Sequence, residues 1–113
     1  MNWENRPWGR YSVIYDGEDM KVKIIEVNPE YRLSYQSHLK RMENWLIVMG
    51  EGFVILDGRR IDVAEGDNVF IGRNQKHTIG NSGQGVLRFV EVQRGDYFGE
   101  DDIVRYEDDF GRI

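Results

Sequence analysis

The chain has 113 residues, 40% of them apolar, with 13 Gly, 2 Pro and no Cys. That is enough for one modest core, and it excludes disulfide scaffolds, thiolate metal sites and cysteine nucleophiles. Residues 1–95 carry 13 acids and 13 bases, so the net charge of −5 comes entirely from the last 18 residues, where seven acids face Arg105 and Arg112.

In chain order, the pattern is one of short strands with a period of two. Residues 10–15 and 21–27 predict a first pair of strands, with a turn at Asp16-Gly17-Glu18-Asp19. A third strand is expected over 32–38. A fourth, over 44–49, passes through a turn at Gly50-Glu51-Gly52 into a fifth over 53–56. Asp57-Gly58 is the strongest hairpin signal in the chain and leads into a strand over 59–63. Strands over 68–71, 76–79 and 86–93 follow. Nine short strands with Gly-rich turns point to an all-β sandwich or barrel, read as one domain over residues 1–113. Beyond them, Tyr97, Phe98, Ile103, Val104, Tyr106 and Phe110 are interleaved with the terminal acids. Solvating acidic tails are poor in such residues, so this end is expected to be ordered.

Charge and hydropathy narrow the partners. A body with no basic excess is unsuited to nucleic acid. The longest apolar run, residues 45–49, is far below the roughly 18 residues that cross a bilayer, so no membrane partner is expected. The first six residues lack the basic-then-apolar layout of a signal peptide, and a cytoplasmic location is the expectation. No Ser stands in a nucleophile-elbow pattern. Gly80-Asn81-Ser82-Gly83-Gln84-Gly85 reads as a turn between strands, not as a phosphate cradle.

The chemistry-bearing residues are few. His38 and His77 are the two histidines, both in or beside predicted strands. Gln36 and His38 are two apart, so a strand puts them on one face, and Glu43 can return through a tight turn into the next strand. Two imidazoles, a carboxylate and an amide oxygen would suit a divalent first-row metal. Spacing alone leaves Glu43 equally readable as a surface acid, and each His as structural.

Residues 30–50, with Gln36, His38, Arg41, Glu43 and Trp45, resemble the first motif of the cupin superfamily. Gly66-Asp67 and the stretch from Ile71-Gly72 through His77 to Asn81 resemble the second. More narrowly, Arg6-Pro7-Trp8-Gly9, Leu33-Ser34-Tyr35-Gln36-Ser37-His38 and Glu91-Val92-Gln93 with Gly95 and Tyr97 are similar to the type II mannose-6-phosphate isomerase domain. So is the run Gly99-Glu100-Asp101-Asp102-Ile103-Val104-Arg105, with Asp108 and Gly111-Arg112. Three departures stand out. Glu30 occupies the place of the usual motif Gly, Gly72 and Asn74 replace a Pro and a Gly ahead of His77, and Leu39-Lys40 replaces a His-rich run.

The resemblance implies a double-stranded β-helix, or jelly-roll barrel, holding one divalent metal (zinc, manganese or cobalt) on Gln36, His38, Glu43 and His77. It implies isomerisation of a small sugar phosphate, mannose 6-phosphate to fructose 6-phosphate, and a homodimer. Such a reaction needs a Lewis acid at C1 and C2, a base to carry a proton between them, and cations for the phosphate. Arg41 and Lys40 are the expected cations between the ligands, and Glu91 is the expected base because it is in register with Leu87 and Phe89, with Glu100, Asp101 and Asp102 as alternatives. Lys23, Arg88 and Arg105 are the expected phosphate residues. A metal-dependent oxygenase and a non-catalytic sugar- or metal-binding module are the rival readings. An acidic end spread around the barrel mouth would repel a sugar phosphate, so most of its acids are expected to be paired with Arg or turned away from the metal.

Overall fold

A computed structural model describes residues 1–111. Arg112, part of the C-terminal signature, lies outside the described residues. The strands are β1 (Glu4–Arg6), β2 (Gly9–Asp16), β3 (Met20–Val27), β4 (Tyr35–His38), β5 (Arg41–Met49) and β6 (Glu51–Leu56). They continue as β7 (Arg59–Ala64), β8 (Asn68–Ile71), β9 (His77–Asn81), β10 (Leu87–Gly95) and β11 (Ile103–Glu107), with one 3-10 turn at Glu100–Asp102. They form a six-stranded sheet, β1-β2-β3-β10-β5-β8, and a five-stranded sheet, β11-β4-β9-β6-β7. The two sheets face each other as a barrel.

Alternation along the central strands decides what the barrel contains. On β5, Arg41, Glu43, Trp45 and Ile47 are buried, whereas Asn44 and Leu46 are exposed. On β10, Leu87, Phe89, Glu91 and Gln93 are buried. The antiparallel register sets Phe89 against Ile47, Glu91 against Trp45 and Gln93 against Glu43. One end of the barrel is therefore an apolar core, with Val27, Ile47, Leu87 and Phe89 fully buried. The other end holds His38, Glu43, His77, Glu91 and Gln93, all buried as well. Burying that many polar groups is costly unless they are partnered, which marks this end as built for more than packing. Trp8 and Trp45 close the boundary between the halves and join the core.

The Asp57-Gly58 hairpin forms as expected between β6 and β7, both residues having positive φ (47° and 83°), as a type I′ turn requires. Glu30 and Asn74 also have positive φ, 73° and 61°. These are the positions at which the resemblance expects Gly, and the backbone keeps the left-handed conformation although the side chains have changed. Asn tolerates it; Glu does so at a cost.

Three expectations needed correction. Two strands, β1 and β11, lie beyond the expected nine. The third strand is shorter than predicted: Tyr35–His38 pairs regularly, and Arg32 makes an isolated bridge to Gly80. Glu51 and Gly52 belong to β6, so the turn before it is Gly50 alone, at φ 96°. Of the terminal acids, Glu100 is the exception to the expectation for most of them, since it lines the pocket described below.

The rest of that segment behaves as expected. Asp109 takes a two-pronged contact from Arg32 (3.0 and 3.1 Å), and Asp96 lies 3.4 Å from Arg73. Asp101 accepts from the Tyr97 hydroxyl, and Asp102 accepts the backbone N–H groups of Leu39 and Lys40.

Candidate functional site

His38 ends β4, Glu43 sits in β5 and His77 opens β9, and the barrel brings their ligand atoms within 4.8 Å of one another. Each imidazole is oriented from behind. His38 Nδ1 donates to the Arg41 carbonyl at 3.0 Å, and His77 Nδ1 donates to the Gln75 carbonyl at 2.8 Å. A carbonyl can only accept, so the protons sit on Nδ1 and both Nε2 lone pairs point into the cluster. Both Nε2 atoms are buried without a hydrogen-bond partner. His38 Nε2 lies 3.0 Å from Glu43 Oε2, two acceptors face to face unless a cation lies between them. The spread is close to twice a roughly 2.1 Å metal–ligand bond. The donor set, its burial and its two orphaned nitrogens fit a divalent metal.

The electrostatics are asymmetric. Burial alone would raise the Glu43 pKa, but His38, Arg41 and His77 together outweigh it and hold the carboxylate well below its usual range. Arg41 Nε donates to Glu43 Oε2 at 2.9 Å, and Trp45 Nε1 donates to Oε1 at 3.0 Å. Burial pushes the His77 pKa down, keeping the ring neutral as a ligand must be. Burial, and then the neighbouring charge of Glu43, pushes Glu91 up to about 8. Glu91 accepts from Gln93 Nε2 at 2.6 Å and from Trp45 Nε1 at 3.2 Å.

A pocket of about 200 Å³ adjoins the cluster. Its lining includes the buried Arg41 and Glu91 beside Gln36, the side chains of Trp8, Tyr11, Lys23 and Leu33, and the exposed or part-exposed Arg6, Glu100, Ile103 and Arg105. That size is below the roughly 300–1,000 Å³ of sites for drug-sized ligands, so a small polar molecule fits it better.

The profile of the mannose-6-phosphate isomerase C-terminal family matches residues 2–108. The chain belongs to that family. A mannose-1-phosphate guanylyltransferase of Salmonella montevideo is 42% identical over 107 residues, covering 95% of this chain and 23% of that protein. The alginate biosynthesis protein AlgA of Pseudomonas aeruginosa is 41% identical over 107 residues, 95% of this chain and 22% of its own length. The chain thus spans under a quarter of the relatives it matches. Among solved structures, the cupin domain of Schizosaccharomyces pombe Cnp3 superposes with a TM-score of 0.79 at 12% identity, over 85% of this chain and 69% of that one. That likeness identifies the fold as a cupin barrel.

Within this family member, the expected site residues divide sharply. His38, Glu43 and His77 converge, and Gln36, register partner of His77, lines the adjoining pocket with its Oε1 accepting from Ser34 Oγ at 2.9 Å. Arg41, Glu91, Lys23 and Arg105 also line the pocket. Lys40 does not. It is exposed, with its ammonium 5.1 Å from the Tyr97 ring centroid, and its neighbour Leu39 is exposed too, so the Leu39-Lys40 departure lies outside the pocket lining. Arg88 is also set apart. It is held on the outer face of β10 by Glu26, at 2.6 and 2.7 Å, opposite Arg10. Glu100, an alternative for the base, lines the pocket from the 3-10 turn. Arg6 and Tyr11 line it too but were not among the expected site residues; strand parity on β2 was the available signal for Tyr11.

Proposed function

We propose that this barrel is a metal-dependent aldose–ketose isomerase acting on a small sugar phosphate, with mannose 6-phosphate and fructose 6-phosphate as the exchanging pair. One juxtaposition carries the reading: a buried His38–Glu43–His77 cluster with two unpartnered Nε2 atoms, beside a small pocket lined by Lys23, Arg41, Glu91 and Arg105. His38, Glu43 and His77 would hold the metal, with Gln36 as the fourth ligand, and the mixed imidazole and oxygen set suits zinc, manganese or cobalt. Bound there, a divalent ion supplies Lewis acidity at the oxygens of C1 and C2 and offsets the charge of Glu43.

The chain's own residues do the rest. Glu91 takes the proton from one carbon and returns it to the other, its carboxyl held in plane by Gln93 and Trp45. A carboxyl whose pKa lies near neutrality can do both halves of that transfer. Arg41 keeps Glu43 ionised through Nε, donates to the Phe98 carbonyl through Nη1 at 3.3 Å, and faces the pocket with its remaining N–H groups, toward a sugar oxygen. Lys23 and Arg105 take the phosphate. Trp8 and Leu33 give the sugar ring an apolar side and keep water out.

The test is a coupled assay of mannose 6-phosphate and fructose 6-phosphate interconversion with Mn²⁺, Co²⁺, Zn²⁺ or Mg²⁺. Turnover lost in His38→Ala and His77→Ala, together with the bound ion, supports the reading. No turnover with any metal overturns it. Oxygen consumption by an Fe(II)-loaded sample then identifies an oxygenase, and sugar-phosphate binding without chemistry identifies a binding module. The homodimer belongs to the same proposal and is read by light scattering.

A further inference from the structure

The outer half of the pocket is lined by more positive charge than the expected residues account for. Arg6 comes from β1, the free edge of the six-stranded sheet, and Arg105 comes from β11, the free edge of the five-stranded sheet. Lys23, on β3, lines the same pocket and is more buried than either.

Two of the three cations have polar groups without a hydrogen-bond partner among the described residues. Arg105 Nε is buried with no hydrogen-bond partner among the described residues. Lys23 lines the pocket, and among the described residues its ammonium makes no hydrogen bond or close ion pair; it lies over the Tyr11 ring. A buried guanidinium N–H left unpaired is unfavourable unless an anion arrives to meet it.

Arg6 is the residue held in readiness. Its Nη2 donates to the Tyr11 hydroxyl at 2.9 Å, and its guanidinium carbon lies 4.9 Å from the Tyr11 ring centroid. The same ring carries the Lys23 ammonium at 4.7 Å. One aromatic side chain therefore sets two cations against one cavity. Glu4 approaches Arg6 only at 3.9 Å, both groups being exposed, so this pair competes weakly for the guanidinium.

We propose that Arg6 is a third phosphate ligand and a specificity-determining residue, closing on a phosphomonoester from the sheet edge opposite Arg105, with Tyr11 as its positioning residue. The inference rests on the reading of Lys23 and Arg105 as phosphate anchors. Three donors arriving from two sheets suit the three terminal oxygens of a phosphomonoester better than the two coplanar oxygens of a carboxylate. Glu100 faces the same space with no hydrogen bond among the described residues, and it offers a sugar hydroxyl an acceptor.

The test is calorimetric titration of the full chain with inorganic phosphate, mannose 6-phosphate and mannose, repeated on Arg6→Gln, Arg6→Lys, Tyr11→Phe and Arg105→Gln. Arg6→Gln is expected to weaken both phosphate ligands about tenfold or more, to leave Zn²⁺ affinity unchanged, and to be partly rescued in Arg6→Lys. Tyr11→Phe keeps the ring and loses the hydroxyl, so it is expected to raise KM several-fold without lowering kcat. Parent-like phosphate affinity in Arg6→Gln, with loss in Arg105→Gln, overturns the role of Arg6 and leaves the anchors standing. No loss in either variant, or no saturable phosphate binding by the parent, overturns both. Phosphate binding that depends on Arg6 in a protein with no isomerase turnover keeps this inference and removes the isomerase.

Discussion

Glu91 gives the polar half of the barrel a measurable signature in the metal-free protein. Its pKa is raised from 4.5 to about 8, first by burial and then by the charge of Glu43. The folded chain therefore keeps a proton that the unfolded chain releases once pH exceeds 4.5. Stability must fall as pH rises through that window, because the native state binds more protons. His77 acts in the opposite sense but only below its unfolded value of 6.5, since its folded pKa is lowered by burial. Between pH 6.5 and 8 the Glu91 contribution stands clear of it. That interval of about 1.5 pH units, at roughly 1.4 kcal/mol each, is worth on the order of 2 kcal/mol. Urea denaturation of chelator-treated protein across this range is expected to show a decline of that size. Glu91→Gln, which keeps the shape and removes the titration, is expected to flatten it. A level profile in the parent, or the same slope in Glu91→Gln, would refute the assignment of a protonated, desolvated Glu91.

Three further outcomes follow from particular contacts. Glu30→Gly is expected to stabilise the fold by up to about 1 kcal/mol, because it relieves a left-handed backbone at φ 73° in an exposed side chain; a lowered thermal midpoint would contradict this. Glu26 is pushed up by burial, yet Arg10 and Arg88 pull it down further, so its ion pairs stabilise the fold above pH 4.5 and are lost as pH falls through the depressed value. Glu26→Gln is accordingly expected to cost on the order of 1 kcal/mol at pH 7 and progressively less as pH falls below 4.5, read from denaturant midpoints across that range. Truncation after Gln93 removes the Arg32–Asp109 fork, the Ser37–Tyr106 contact and the Asp102 hydrogen bonds, and is expected to cost more than about 2 kcal/mol. An unchanged midpoint would return the C-terminal segment to the status of a tail.

Much of this architecture was legible because strand physics has a short period. Alternation alone put Glu91 on the face of Leu87 and Phe89, and the barrel buries that set; β5 begins at Arg41, ahead of the expected 44, and this places Arg41 and Glu43 on the buried face of Trp45. The same parity turns Arg88 outward, to Glu26, so its expected role at the phosphate conflicted with the register that turned Glu91 inward. What the pattern could not supply was the edges. Glu4, Asn5 and Arg6 are all exposed and carry no alternation, and they form a strand because β2 offers them a partner. β11 is similar: it exists by pairing with β4, which places Arg105 opposite Gln36. Residues on edge strands are fixed by long-range pairing, and Arg6 was missed for that reason. Lys40 failed differently. Two residues past His38 in a tight turn, it is exposed at the surface and not on a strand face.

An acidic segment beside a pocket lined by Lys23 and Arg41 looks self-defeating until its carboxylates are located. Asp102 caps the turn that joins His38 to Arg41, so its charge is spent on two backbone N–H groups that hold the ligand strand and the buried Arg in place. Asp109 is occupied by Arg32, Asp96 lies near Arg73, and Asp101 is met by Tyr97. What the segment turns toward the cavity is Ile103, Arg105 and a single acid, Glu100. Its net charge therefore describes its outer surface, while its inner surface adds a cation to those of Lys23 and Arg41. Screening at physiological salt, with a Debye length of about 8 Å, confines the outer charges further. A repulsive tail by composition becomes, by placement, one wall of the pocket.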